Sequence, residues 1–190
     1  MGRLLKQEIK PMGLFQQSAN GGGGVMRIAA TVGLSLEPRS GSREGQTEES
    51  AHLAAPGRGP RRGRILIMDD DRMVRETMCR QLAIFGYEVA AAVHGEDAVS
   101  AYRQARETGR PFEVVILDLM VANGWGGEQT LSELLRLDPG VKALVCSGSL
   151  SGPVADYERK GFCGVLSKPY AMEELRGVVE AVLPAAGRSF

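Results

Sequence analysis

Residues 64–186 predict an open α/β fold, a doubly wound sheet of five parallel strands in (βα)5 order, and three observations lead there. Short runs rich in Val, Ile and Leu alternate with stretches of helical period. The clearest of these runs, Val-Val-Ile-Leu at 114–117, has no polar alternation, as a central strand covered on both faces requires. About 125 residues are enough for one buried core, so the repeats fit a single domain.

The first strand is read over 65–68, Ile-Leu-Ile-Met. A helix follows over 73–85, with Met73, Val74, Met78, Leu82 and Phe85 on its apolar face and Gly86 as its stop. Residues 88–93 make a weak second strand. Residues 96–108 make a second helix, with Pro111 beyond its end, before the third strand at 114–117. A third helix is expected over 127–137, a fourth strand over 143–146, a short helix over 154–160 and a fifth strand over 164–166. The last helix, 171–183, carries apolar residues at 172, 175, 178, 179 and 182.

Residues 1–63 read differently. From 37 to 63 the chain is dense in Gly, Pro, Ser, Arg and Glu without periodicity, so residues 1–63 are expected to be a flexible arm and linker. Residues 25–36 allow one or two short strands. The Gly21–Gly24 run lacks the Gly-Lys-Ser/Thr that a phosphate loop needs, and Arg58, Arg61, Arg62 and Arg64 read as a solvated basic linker with no aromatic neighbour to stack on a base.

Composition narrows the partners. The 190 residues hold 23 basic and 23 acidic side chains, which removes the broad positive footprint of a nucleic-acid or acidic-membrane binder. Residues 1–63 are mildly positive (9 basic, 5 acidic) and residues 64–190 mildly acidic (14 basic, 18 acidic). Proteins and small ligands remain. Cys79, Cys146 and Cys163 have neither the count nor the spacing of a disulfide framework or zinc site, and Cys146 reads as a buried strand residue. No stretch reaches the roughly 20 apolar residues of a membrane span, and the start lacks a secretion signal, so the expected compartment is the cytoplasm.

Ligands of an open parallel sheet bind where the strands end. Four of the five predicted strands run into reactive side chains there: Asp69, Asp70 and Asp71 after the first, Asp118 after the third, Ser147 after the fourth, Lys168 and Pro169 after the fifth. Any one of them alone reads as a helix cap or a solvated group; together they form one edge of carboxylates, a hydroxyl and an ammonium. Carboxylates about 5 Å apart repel by roughly 3 kcal/mol at an effective dielectric near 20, which calls for a cation. All-oxygen ligands point to Mg2+ or Mn2+, and Lys168 supplies a point charge for a phosphoryl oxygen or for Asp118. This is the equipment for phosphorylating a carboxylate.

The motifs Ile-Leu-Ile-Met-Asp-Asp-Asp (65–71), Val-Val-Ile-Leu-Asp-Leu (114–119), Cys-Ser-Gly (146–148) and Ser-Lys-Pro-Tyr (167–170) resemble, in order and spacing, the receiver (response-regulator) domain of two-component signalling. The resemblance implies a flavodoxin-like fold and a phosphoacceptor rather than a dedicated enzyme. It implies that Asp118 takes a phosphoryl group from a histidine kinase or histidine phosphotransfer protein. Asp70, Asp118 and the Met120 carbonyl would bind Mg2+, with Asp69 nearby and usually acting through water; Ser147 and Lys168 would hold the phosphoryl oxygens. It further implies that the fourth helix, fifth strand and fifth helix change in response and meet a downstream protein. Asn123-Gly-Trp-Gly-Gly127 is most similar to receivers at the C-terminus of hybrid sensor histidine kinases. Two departures stand out: Ala122 replaces a frequent proline four residues after the acceptor, and Val165 replaces a frequent aromatic three residues before the lysine. No output module is expected after the last helix, and His52 is followed by Leu-Ala-Ala-Pro, unlike a kinase phosphohistidine box.

Two other functions compete. Asp69-x-Asp71 resembles the nucleophile motif of haloacid-dehalogenase-type phosphatases, which would make Asp69 the acceptor. A receiver-like interaction module that accepts no phosphate is the other. Gly148-Ser-Leu-Ser-Gly152 is not a nucleophile elbow, because Leu150 stands at its centre.

Overall fold

The computed structural model describes residues 16–17, 26–28 and 62–183. The strands are β1 (Gln16–Gln17), β2 (Met26–Ile28), β3 (Arg64–Met68), β4 (Glu88–Ala92), β5 (Val114–Leu117), β6 (Ala143–Ser147) and β7 (Gly164–Ser167). The helices are α1 (Arg72–Ile84), α2 (Gly95–Glu107), α3 (Gly127–Leu137), α4 (Val154–Arg159) and α5 (Met172–Val182). All ten elements expected from 64 onward are present, β5 and α3 at the expected bounds. One sheet holds every strand in the order β1-β2-β4-β3-β5-β6-β7. The five from β3 to β7 pair in parallel, giving the expected doubly wound sheet.

Strand alternation sorts the core into two layers. Leu66, Met68, Val115, Leu117, Ala143 and Val145 face α2, α3 and α4, whereas Ile65, Ile67, Val114, Ile116, Leu144 and Cys146 face α1 and α5. Both faces of β3, β5 and β6 are therefore dry, which is why these strands read as unbroken apolar runs. The order reverses at β3, which has β4 on one side and β5 on the other. The loops after β3 and β5 thus leave the sheet side by side.

The residues described before 62 form two short strands. Of the range 25–36 only 26–28 are described, and they form β2, which pairs antiparallel with the outer edge of β4 through Met26↔Ala91, Arg27↔Ala90 and Ile28↔Val89, while β1 pairs with β2. The linker expected over 37–63 lies outside the described residues except at 62 and 63.

Two details differ from the sequence reading. Met73 is 68% exposed, and Cys79 joins Met78 and Leu82 in the core instead. Helical period fixes the face a residue occupies but not whether the fold covers it, and the first two residues of α1, Arg72 and Met73, are both exposed. Nor are Arg62 and Arg64 free linker cations: Arg62 pairs with Glu180 of α5 at 2.8 Å, and Arg64 lies in β3, pairs with Glu88 and rests 4.5 Å from the Phe112 ring centroid. Cys79 and Cys146 are buried and Cys163 is exposed, with no disulfide among them. Burial pushes the thiols of Cys79 and Cys146 up to about 12. No helix among the described residues is long and apolar enough to cross a membrane.

Candidate functional site

The ladder carries Asp69 and Asp118 to adjacent positions at the sheet's end. The Asp69 N–H donates to the Ala92 carbonyl at 3.3 Å, and the Asp118 N–H donates to the Met68 carbonyl at 2.9 Å, so both residues are held as one-step extensions of β3 and β5. Their side chains are almost fully covered.

The three consecutive aspartates have three different settings. Asp69 is buried, and its carboxylate accepts the Asp71 N–H at 2.9 Å. Asp70 is half-buried and accepts the Ala122 N–H of the β5–α3 loop at 3.0 Å. Asp71 is exposed and caps α1, accepting the N–H groups of Met73 at 2.7 Å and Val74 at 3.3 Å. Oxygens of Asp69, Asp70 and Asp118 lie within 4.8 Å of one another.

Lys168, just after β7, reaches into this group. Its Nζ donates to Asp69 Oδ2 at 2.5 Å and to Asp118 Oδ2 at 2.6 Å. Burial pulls the ammonium down, but its hydrogen bonds to Asp118 and Asp69 outweigh that and hold Lys168 above the ordinary lysine value. Burial raises the Asp69 carboxyl above the usual range, with Lys168 pulling the other way. At the separation seen here each carboxylate pair repels by about 3 kcal/mol at an effective dielectric near 20, and the ammonium reaches two of the three carboxylates. The group therefore retains an uncompensated negative charge and a donor set of hard oxygens, which fits a small divalent cation.

Ser147 ends β6 at the same edge, 1% exposed, and its carbonyl accepts the Lys168 N–H at 3.0 Å. Its hydroxyl receives a long hydrogen bond from the Ser149 N–H at 3.4 Å. Met120 has an exposed side chain, and its N–H donates to Asp118 Oδ1 at 3.2 Å. The structure thus gathers Asp69, Asp70, Asp118 and Lys168 into direct contact or ligand distance, with Ser147 and Met120 at the margin. Sequence reasoning missed Arg75, whose guanidinium donates to the Asp69 carbonyl at 2.7 Å. An arginine on an amphipathic helix carries no mark of such a role.

Close packing fixes the Asp118 backbone. A Cβ on Gly127 would stand 2.7 Å from the Asp118 carbonyl oxygen, and one on Gly126 would stand 2.4 Å from that of Leu119. Helix propensity alone would make Gly127→Ala stabilising by about 1 kcal/mol. Since the obstacle is backbone, steric cost should win, and urea unfolding is expected to show a net loss of about 2 kcal/mol. A gain in stability would show that the loop yields freely.

The chain matches the response regulator receiver domain family over residues 65–180. It is 32% identical over 113 residues to a response regulator receiver protein of Anaeromyxobacter sp. (strain Fw109-5), an alignment covering 59% of this chain and 45% of that one. It is 34% identical over 122 residues to the response regulator MprA of Mycolicibacterium vanbaalenii, covering 63% and 50%. The chain therefore spans about half the length of these curated relatives. Among solved structures it resembles the chemotaxis protein CheY4 of Vibrio cholerae, with a TM-score of 0.57 and 25% identity over 64% of this chain and 98% of that one. It also resembles a chain of the CheX-CheY-BeF3-Mg+2 complex of Borrelia burgdorferi, with a TM-score of 0.57 at 22% identity, over 63% and 88%. The latter likeness speaks for the fold.

Proposed function

Because the chain belongs to the response regulator receiver domain family of two-component signalling, we propose that residues 64–186 act as a phosphoacceptor, with Asp118 taking a phosphoryl group from a histidine kinase or histidine phosphotransfer protein. The observation that carries this is the Lys168 ammonium shared between Asp69 and Asp118 beside Asp70, at the point where strand order reverses.

A carboxylate oxygen of Asp118 attacks phosphorus as the P–N bond of the donor phosphohistidine breaks; the electron pair stays on the imidazole, and an aspartyl phosphate remains. Lys168, already on Asp118, follows the charge onto a phosphoryl oxygen, and Ser147 turns its hydroxyl to donate to another. Asp70, Asp118 and the Met120 carbonyl would hold Mg2+ or Mn2+, with Asp69 alongside, and the ion would supply neutralisation of phosphoryl charge. Water attacking in line later returns the carboxylate and inorganic phosphate. The domain is a signalling switch rather than a dedicated enzyme. Its readout is a shift of α4, β7 and α5 toward a form that a downstream protein recognises, and it works in the cytoplasm. Residues 1–63 serve as an arm, and the Asn123–Gly127 stretch favours kinship with hybrid-kinase receivers. A haloacid-dehalogenase-type phosphatase with Asp69 as nucleophile belongs to another family than the one matched.

Incubation with acetyl phosphate and Mg2+ tests the reading. One acid-stable, base-labile phosphoryl adduct per chain is expected; its complete absence would favour the inert interaction module.

Asp70 separates metal from charge. It touches no cation among the described residues, so in Mg2+-free buffer Asp70→Asn removes repulsion, keeps an acceptor for the Ala122 N–H, and should raise Tm by roughly 3 °C. The rise that Mg2+ gives the wild type should vanish in this variant. An undiminished Mg2+ effect would remove Asp70 from the metal site.

A further inference from the structure

We propose that Tyr157 is a positioning residue that couples the occupied acidic site to α4 through a hydrogen-bonded latch on Ser151; the inference rests on the phosphoacceptor reading above. Tyr157 is 3% exposed, with its ring edge-on to Phe162 at 6.4 Å. Its hydroxyl accepts the Ser151 N–H at 3.0 Å and donates to the Ser151 carbonyl at 3.2 Å. Both main-chain polar groups of one loop residue are thereby fastened to one helix residue.

That loop begins at the site. Ser147 is held through its carbonyl by the Lys168 N–H, while its hydroxyl has only the 3.4 Å contact from Ser149. So weakly held, this hydroxyl can turn toward an arriving phosphoryl oxygen. Once it turns, the Ser149 N–H loses its acceptor and the chain from Ser149 to Ser151 must resettle. Ser151 then either takes Tyr157 with it or leaves a covered hydroxyl and two main-chain groups without partners. Carrying the helix along avoids that loss.

Space and a second tether are both present. A groove of about 300 Å³ lies between the two loops, lined by Leu119, Met120, Gly126, Ser149, Ser151 and Tyr157. Lys160, which follows α4, stands 5.5 Å from the Tyr157 ring centroid and reaches Glu128 of α3 at 2.5 Å. A movement of Tyr157 therefore meets a contact between helices. β7 offers no competing aromatic lever, since Gly164-Val-Leu-Ser167 contains none and Val165 packs into the core.

Tyr157→Phe keeps the ring and removes the latch. Labelling of Asp118 by acetyl phosphate should stay within about twofold of wild type. Hydrogen exchange of the amides at 154–160 should change about fivefold or more on labelling the wild type but less than about twofold in the variant, while those at 147–151 respond in both. Because each protein is compared with its own unlabelled state, simple loosening of the helix does not imitate this outcome. An equal response of α4 in both labelled proteins would overturn the latch and leave the phosphoacceptor reading standing. Failure of the wild type to label would overturn the reading itself, and the latch with it; failure of the variant alone would overturn the latch.

Discussion

Asp118→Asn is expected to lower labelling by acetyl phosphate by about two orders of magnitude or more, with the protein still folded. An amide is a poor nucleophile toward phosphorus, yet it retains the size of the carboxylate and a carbonyl oxygen that can accept from Lys168 Nζ or the Met120 N–H. The loss should therefore be chemical rather than structural. Asp69 should not substitute, being 1% exposed and already accepting from Lys168 and the Asp71 N–H. Equal labelling of wild type and variant, with the adduct mapped to residues 69–71, would move the acceptor to the first loop.

The second large effect is on stability. Lys168→Met leaves Asp69 and Asp118 without their shared cation, in a place where their side chains are 2% and 9% exposed and that of Lys168 is 18% exposed. Removing one partner of a buried pair costs about 3 kcal/mol, because the charge left behind stays desolvated. The pH dependence has a definite sign. The folded Asp69 carboxyl already lies above its unfolded value of 3.8, burial being the largest cause, so its proton is bound more tightly in the folded state and stability falls as pH rises through that interval. Loss of Lys168 raises the carboxyl further and widens the interval upward. The deficit of the variant should thus be largest near neutrality and shrink on acidification toward the unfolded value, in Mg2+-free buffer. A deficit that grows in acid would mean that Lys168 is not what compensates these carboxylates.

How far the amino-acid order alone reaches can be seen residue by residue. β5 and α3 were placed at their observed bounds because a four-residue apolar run and a glycine-bounded amphipathic stretch are local signals. Met73 belongs to the apolar face by period yet is exposed, because helical period reports which face a residue occupies, not whether the fold covers it there. Asp69, Asp70 and Asp71 are chemically identical neighbours. Their separate settings follow from where β3 ends and the chain turns into α1, which is a tertiary fact. The convergence of Asp118 and Lys168 was foreseeable from strand-end positions, since parallel strands deliver their carboxyl ends to one edge. The pairing of β1 with β2 and of β2 with β4 was not, because strands of two and three residues carry no period, and β4 is remote in the chain from β2.

The acidic cluster also explains why the site must do more than persist. Three carboxylates and one ammonium leave negative charge at the sheet's edge, so the protein accepts a local destabilisation that a divalent cation can relieve. Arg75 donates to the Asp69 carbonyl oxygen and so holds the backbone, and among the described residues it makes no ion pair with the three carboxylates. Placing the repulsion beside the loop that leads to Ser151 and Tyr157 puts it where a change in charge can move something.

A crystal structure of the protein grown with Mg2+ and beryllofluoride measures the central claim directly. The account predicts the beryllium bonded to a carboxylate oxygen of Asp118, Lys168 Nζ and the Ser147 hydroxyl turned onto its fluorides, and the metal against Asp70. Beryllofluoride on another residue, or an acidic edge left unchanged at saturating concentration, would contradict it.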